Sequence, residues 1–182
     1  MPHLDIELSP VDHITTDAIG PKGKRVFYLQ GIQGDQVVTL ITEKFQIQAL
    51  SVGVEQFLDE ITDRFPELPD ASTIYDEEEM RINPIVDPLF RLADISLGYD
   101  AENDWAVLII HELIPENVES FEDDPAQETC VVRFSCTRDQ LKALALWGVE
   151  VAQRGRQICT QCGQVEEEGH FCVKKNGGYK QK

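Results

Sequence analysis

The feature of this chain that most constrains its fold is an internal repeat. Residues 37–50 match residues 131–144 without a gap, and in both segments a short β-branched run leads into the same spacing of Gln, Ala and Leu. Short β-branched runs favour strands, whereas apolar residues three and four apart favour one face of a helix. Each segment therefore predicts a strand that runs directly into a helix.

The helical part of each copy carries an apolar stripe that predicts a buried face. Thr137, followed three residues later by Gln140, is a capping-box pattern and predicts where the second helix begins. The stripes consist of Ile47, Leu50, Val54, Phe57, Leu58 and Ile61 in the first copy and of Leu141, Leu144, Ala145, Gly148 and Val149 in the second.

Two strand-like segments precede each copy, at residues 14–20 and 26–29 in the first half and at residues 92–98 and 105–110 in the second. Each half then has the order strand, strand, strand, helix. Neither half alone could cover its apolar sheet face. We therefore predict an α+β fold in which duplicated βββα units form an antiparallel sheet covered by two helices. The alternative is a coincidental likeness between two strand–helix pairs.

The same pattern divides the chain into a body and a tail. We predict a body over residues 1–155, with halves at about 11–65 and 90–155, and a zinc-knuckle tail over residues 156–182.

Two segments between predicted elements, residues 64–89 and 115–128, are rich in proline or acidic residues. Such composition favours exposed connections, and neither segment has the donor spacing of an EF-hand calcium loop. We expect two surface loops.

The tail contains four residues of the types that zinc prefers. A Cys-x-x-Cys pair followed by Gly163 is typical of a knuckle turn, because glycine can adopt the positive φ that turns backbone N–H groups towards the thiolates. A redox pair would be expected at a helix N-terminus, and an iron–sulfur cluster usually requires four cysteines. Four protein ligands close a tetrahedral shell, so we predict one structural Zn²⁺ with no place for a catalytic water. The predicted ligands are Cys159, Cys162, His170 and Cys172.

Charge and composition narrow the possible partners. The chain has 16 basic and 33 acidic residues. Six basic and three acidic residues lie from residue 152 onward, which leaves ten basic and thirty acidic before it, a net charge of −20. Such a body repels phosphodiester backbones, so nucleic-acid binding by the body is disfavoured. Without a long apolar run or a signal-like start, and with an odd number of cysteines, we expect a cytoplasmic protein with no membrane partner.

The tail pattern resembles a family. Cys-x-x-Cys-Gly, then Gly169-His170-Phe171-Cys172 and Asn176-Gly177, together with residues 27–30, is similar to a bacterial family of conserved hypothetical proteins of unknown function. The resemblance extends over the whole chain and implies a C-terminal zinc knuckle. Members of that family are often encoded near a histidine-phosphatase-like and a kinase-like protein.

The chain departs from the family pattern at positions beside the ligands. Prolines that follow the first and last cysteines in the family are replaced by Thr160 and Val173, and Lys174 and Lys175 stand where an arginine precedes Asn-Gly. These departures leave all four ligands in place. They weaken any inference that the arginine reads a specific ligand.

Two functions follow from these patterns. The first is a non-catalytic binding or adaptor protein, in which the sheet offers a cleft or an edge to a protein partner and the zinc tail shapes one rim. The second is an enzyme that acts on a phosphorylated or otherwise anionic small molecule. The first is favoured because no nucleophile, acid/base pair or open metal site is recognisable. The anion-binding candidates for the second are Lys22, Lys24, Arg25, Arg154 and Arg156.

Overall fold

A computed structural model describes residues 5–21, 23–82, 87–114 and 130–154, together with the backbone of two short strands beyond them. The elements follow the predicted order of three strands and a helix twice over, with one additional strand in front. Their bounds are β1 Asp5–Leu8, β2 His13–Ile19, β3 Val26–Gln33, β4 Gln36–Thr42, α1 Lys44–Arg64, β5 Pro88–Asp100, β6 Trp105–Glu112, β7 Val131–Thr137, α2 Arg138–Gln153, β8 Gln157–Ile158 and β9 Val165–Glu166.

The strands β1 to β7 form a seven-stranded sheet in the order β1-β7-β6-β5-β4-β3-β2. Within each predicted half the strands pair antiparallel, as the sequence indicates. The pairs β4 with β5 and β1 with β7 are parallel. The α+β class is therefore confirmed, but the prediction of a purely antiparallel sheet is wrong, because parallel pairs join the halves to each other and β1 to the sheet.

The first and last strands in the sheet order are neighbours in the chain, so the sheet must curl. Only residues 9–12 connect β1 to β2, and an extended chain of that length spans no more than about 18 Å. The connection itself bridges two strands: the Val11 N–H donates to the Ser135 carbonyl at 2.8 Å, and the Asp12 N–H donates to the Ile32 carbonyl at 2.7 Å. The sheet thus bends round like a barrel and brings its two edges together.

Inside this curve the opposite walls touch. A Cβ at Gly31 of β3 would lie 2.6 Å from Cε1 of Phe134, which is fully buried on β7. The core contains apolar side chains from every strand between β1 and β7, including Leu8, Ile14, Leu29, Leu40, Leu92, Leu108 and Val132.

The two helices cross each other in antiparallel fashion. The Ser51 hydroxyl of α1 donates to the Ala145 carbonyl of α2 at 2.9 Å, and Gly148 allows the backbone of α2 to approach the Ile47 side chain. The predicted stripes are buried except for Phe57, which is half-buried, and Val149, which is exposed. The sequence stripe missed Trp147, a fully buried residue of α2.

A glutamine at the third position of each helix anchors the start of the helix to neighbouring backbone. The predicted capping box is confirmed: Thr137 accepts from the Gln140 N–H, and the Thr137 N–H donates to Gln140 Oε1 at 2.9 Å. Gln46 accepts in the same way from the Glu43 N–H at 2.8 Å. The side-chain NH₂ group of each glutamine donates to a backbone carbonyl. Gln140 Nε2 donates to the Asp12 carbonyl at 3.1 Å, and Gln46 Nε2 donates to the Ala93 carbonyl at 2.9 Å.

Residues 65–82, which we call the strap, run along α2 and β2. The sequence predicts a surface loop here, whereas the structure buries Met80 and Ile82. The Met80 carbonyl accepts a hydrogen bond from the Thr15 hydroxyl, and the Ile82 N–H donates to an oxygen of Asp17 at 3.3 Å. The acidic turn at residues 76–79 is exposed, and so is Ile74, at 87%. The strap is therefore a structural part of the body.

Beyond α2, the structure describes the backbone of β8 and β9, which pair antiparallel. Across the described ranges, no helix combines the length and the apolar character that crossing a membrane requires.

Candidate functional site

An apolar groove of about 240 Å³ lies between α1 and β5. It has one ionisable lining residue, Asp94, and one amide, Gln46, and its other lining groups are aromatic, aliphatic or small. The lining residues are Phe45, Gln46, Ala49, Leu50, Gly53, Leu92, Ala93, Asp94, Ile95 and Leu97.

The sequence creates this groove by giving α1 a second apolar side. Phe45, Ala49 and Gly53 recur every four residues and so lie on one side of the helix. The small residues leave space above the strand, and a Cβ at Gly53 would meet no atom within 4 Å. Phe45 is 66% exposed at the mouth of the groove, which is an unusual position for an aromatic ring.

Asp94 supplies the charge of the groove. Its Oδ1 lies 3.0 Å from Nδ1 of His111 on the adjacent strand, and its side chain is 63% exposed. His111 is a strand residue whose side chain is 40% exposed. A ligand in the groove would therefore meet apolar walls and one accessible carboxylate.

The groove has a counterpart between α2 and β2, which we call the strap site. Val38 and Val132 are aligned by the sequence match. Two strands away from Val38, the pairing leads through Gly31 to Ile14 of β2, and two strands away from Val132 it leads through Ile110 to Ile95 of β5. Ile14 and Ile95 are therefore equivalent positions. The cavity of the strap site, about 270 Å³, is lined by Ile14 and by strap residues such as Tyr75. The chain's own strap thus occupies the place that stays open beside α1.

One helix position explains much of this difference. The gapless match, continued along both helices, aligns Gly53 with Trp147. The Trp147 ring is fully buried, its Nε1 donates to the Thr16 carbonyl at 2.7 Å, and it packs edge-on against Tyr75. Gly53 has no side chain to fill the corresponding space, so a groove remains.

A polar cavity of about 530 Å³ lies at the start of α2 and is lined in part by Arg138 and Asp104. Arg138 donates from Nε to Asp104 at 2.8 Å, and the Tyr99 hydroxyl donates to the same carboxylate at 2.7 Å. The hydrogen bond from Arg138 lowers the pKa of Asp104, and burial raises the pKa of Tyr99 to about 12. Arg138 also donates to the Pro69 carbonyl at 2.6 Å, so this network fixes the beginning of the strap.

The predicted anion-binding residues are only partly brought together. Arg25 and Arg154 both lie at the C-terminal end of α2, where Arg25 donates to the Val151 carbonyl at 3.2 Å. Arg154 donates to Glu77 at 2.8 Å and stacks over the Trp147 ring at 4.4 Å. A helix C-terminus carries partial negative charge, which opposes anion binding there.

The other predicted anion-binding residues are placed as follows. Lys24 lies in the exposed turn between β2 and β3, as expected for a hairpin turn. Lys22 and Arg156 lie outside the described residues.

The predicted zinc ligands Cys159, Cys162, His170 and Cys172 lie outside the described residues. Within the part of the chain that the structure describes, no group of three or more His, Cys, Asp or Glu side chains could hold a metal ion. Cys136 is fully buried in the core, and burial raises its pKa to about 12, so this thiol is not a nucleophile at neutral pH.

The fold and the groove together define an α+β protein with a curled mixed sheet and an apolar recess beside one helix. The chain belongs to the family described as protein of unknown function DUF3090, which matches residues 6–172. No curated protein and no solved structure matches the chain.

Proposed function

We propose that this chain is a non-catalytic binding or adaptor protein of the cell interior that receives a segment of a partner protein in the groove between α1 and β5. The observation that carries the proposal is the exposure of Phe45 beside an apolar recess with a single carboxylate. Exposed aromatic rings next to a recess are typical of protein-binding surfaces. Arg138 and Asp104 line the polar cavity at the start of α2, but Arg138 is engaged by Asp104 and by the Pro69 carbonyl of the strap.

We also propose that the body arose from two βββα units. The parallel pairs support this: Glu7 lies opposite Arg133 and Pro88 lies opposite Thr39, where residues 39 and 133 are aligned by the gapless match. Glu7 is thus equivalent to Pro88, as Ile14 is equivalent to Ile95, and both pairs are 81 residues apart in the sequence. One constant offset therefore relates β1 and β2 together to the single long strand β5.

The helix contacts support the same relation. Ser51 bonds to Ala145, and these two residues are themselves aligned by the continued match. A contact between equivalent residues is expected where a two-fold axis relates two units.

The tail completes the proposal. A structural Zn²⁺ held by Cys159, Cys162, His170 and Cys172 would fold a tail that has too few apolar residues for its own core and would place it at one rim of the groove. Elemental analysis of protein purified without chelator should find one zinc per chain, and Cys162→Ser should abolish it. A metal-free protein would refute this part. Tryptic cleavage confined to the tail after zinc removal would support its independence from the body.

The groove is tested by substitution at its mouth. Burying the exposed two thirds of a phenylalanine contributes about 2–3 kcal/mol, so Phe45→Glu should weaken binding of any groove partner roughly 30-fold or more. Val52→Glu is the matched control, because Val52 is 62% exposed on α1 but does not line the groove. The immobilised protein and both variants are compared for retained partners by quantitative mass spectrometry. Partners that bind all three proteins equally would contradict a role for the groove.

A further inference from the structure

The structure points to the form of the groove's ligand, and this inference rests on the proposed function. We infer that the groove binds a segment of a partner protein that resembles strap residues 74–82, including the turn at residues 76–80, but carries a basic residue where the strap has Glu79. The reason is that this chain already seats such a segment in the corresponding strap site.

Six lining positions of the groove have an equivalent among the lining residues of the strap site. The helix walls align Ala49 with Ala143, and the strand walls align Ile95 with Ile14. In the strap site, Tyr75 packs edge-on against Trp147. A partner segment beside Gly53 therefore has room for a large side chain in the space that Trp147 fills in the other half.

One backbone contact of the strap, the hydrogen bond to the Met80 carbonyl, can also be formed in the groove. The Thr15 hydroxyl of β2 donates to the Met80 carbonyl, which holds the strap against the strand. Ser96 occupies the position of Thr15 on β5 and is exposed. Its hydroxyl can donate to a partner carbonyl in the same way, while apolar side chains enter the recess on either side.

The charge at the corresponding position differs, because the groove has a carboxylate where the strap site has an imidazole. In the strap site His13 faces Glu79, whose carboxylate raises the pKa of the imidazole while burial, the larger effect, lowers it. The groove has Asp94 in the place of His13, so an acidic residue in the ligand would be repelled and a lysine or arginine would be attracted. The net charge of −17 of the whole chain adds to this preference for a basic segment.

Two synthetic peptides test the inference on the full-length protein. The first has the sequence of residues 72–82, and the second differs from it by Glu77→Lys, Glu78→Lys and Glu79→Lys. Fluorescence anisotropy should show that the lysine peptide binds at least tenfold more tightly than the acidic one, with a preference that shrinks as salt rises.

The protein variants locate the binding. Gly53→Trp fills the recess and should weaken binding of the lysine peptide at least tenfold, whereas Val52→Glu should leave it within about twofold. Asp94→Asn should reduce the difference between the two peptides. Equal affinity for both peptides, no binding of either, or binding insensitive to Gly53→Trp would overturn the inference.

Other occupants give distinct results. A benzophenone side chain at position 45 should crosslink to the added lysine peptide. Crosslinks to residues 155–182 of the same chain would assign the groove to the tail, and crosslinked dimers would assign it to a second copy; either outcome overturns the inference. If partner capture depends on Phe45 but the lysine peptide does not bind, the proposed function stands and the chemistry of the segment is wrong.

Discussion

Gly31→Ala tests the closure of the sheet, on which the positions of both helices depend. The added Cβ would lie 2.6 Å from Cε1 and 2.9 Å from Cδ1 and Cζ of the Phe134 ring. Ordinary carbon contacts lie near 3.5–4.0 Å, so the ring or strand β3 must move by roughly 1 Å. Phe134 is fully buried among core side chains, which leaves it little room to move.

The expected loss of stability follows from two opposing effects. Overpacking a well-filled core costs about 1–3 kcal/mol, whereas replacing a strand glycine with alanine returns roughly 0.5–1 kcal/mol through the entropy of the unfolded chain. Gly31→Ala should therefore destabilise the protein by about 1–2 kcal/mol. Phe134→Leu removes the obstructing ring, so the two substitutions together should cost less than the sum of their separate effects.

Urea unfolding of the wild-type protein, Gly31→Ala, Phe134→Leu and the double variant measures this coupling. A coupling free energy of roughly 1 kcal/mol in the compensating direction is expected. If Gly31→Ala is neutral or stabilising, or if the two effects are simply additive, β3 and β7 do not touch across the core and the curled arrangement is wrong.

The remaining predictions concern the helices and the buried arginine. Gly53→Ala should stabilise the protein by about 0.5–1 kcal/mol because its Cβ meets open space, whereas Gly148→Ala should destabilise it because that Cβ would lie 2.9 Å from Ile47; thermal unfolding of both variants decides the signs. Asp104 has a lowered pKa in the folded protein, so its stabilising effect is present at neutral pH and is lost as the pH falls through the folded-state value. Asp104→Asn should therefore lower stability at pH 7 and flatten its acid dependence; an unchanged pH profile would show that Arg138 does not use this charge.

The sequence predicted the elements of the repeat because local signals specify them. The second helix begins where Thr137 and Gln140 predict it, and most of both apolar stripes is buried. The alignment of the strands that precede the match was less well determined. The sequence pattern aligns residues 14–20 with residues 92–98, whereas the strand pairing makes Ile14 equivalent to Ile95. A strand pattern indicates that a strand is present but not which residue of the partner strand each residue faces, so local signals leave this alignment undetermined.

Long-range features were harder to predict from one sequence. The parallel pairing of β4 with β5 depends on how the two halves meet, and the burial of Met80 depends on a hydroxyl from β2. The sequence match did not indicate the groove for a related reason. Phe45 and Gly53 differ from their aligned residues Asp139 and Trp147, and a repeat predicts only the features that its two copies share. The aligned positions differ most at Gly53, which has no side chain where Trp147 has a large ring.

Under the proposed duplication, the open site is a consequence of chain connectivity. The strap leaves α1 directly and lies against α2 and β2, where Arg138 holds the Pro69 carbonyl and Tyr75 packs on Trp147. On the α1 side of the body, Phe45 is exposed, and Gly53 stands where α2 has Trp147, with no atom within 4 Å of an added Cβ. In a pair of similar units, the strap site is covered by the chain's own residues 65–82, which stabilises the fold. The groove, its counterpart, stays uncovered and is available to a ligand. That division is consistent with the proposed binding role of the groove and with Arg138 and Asp104 holding the strap.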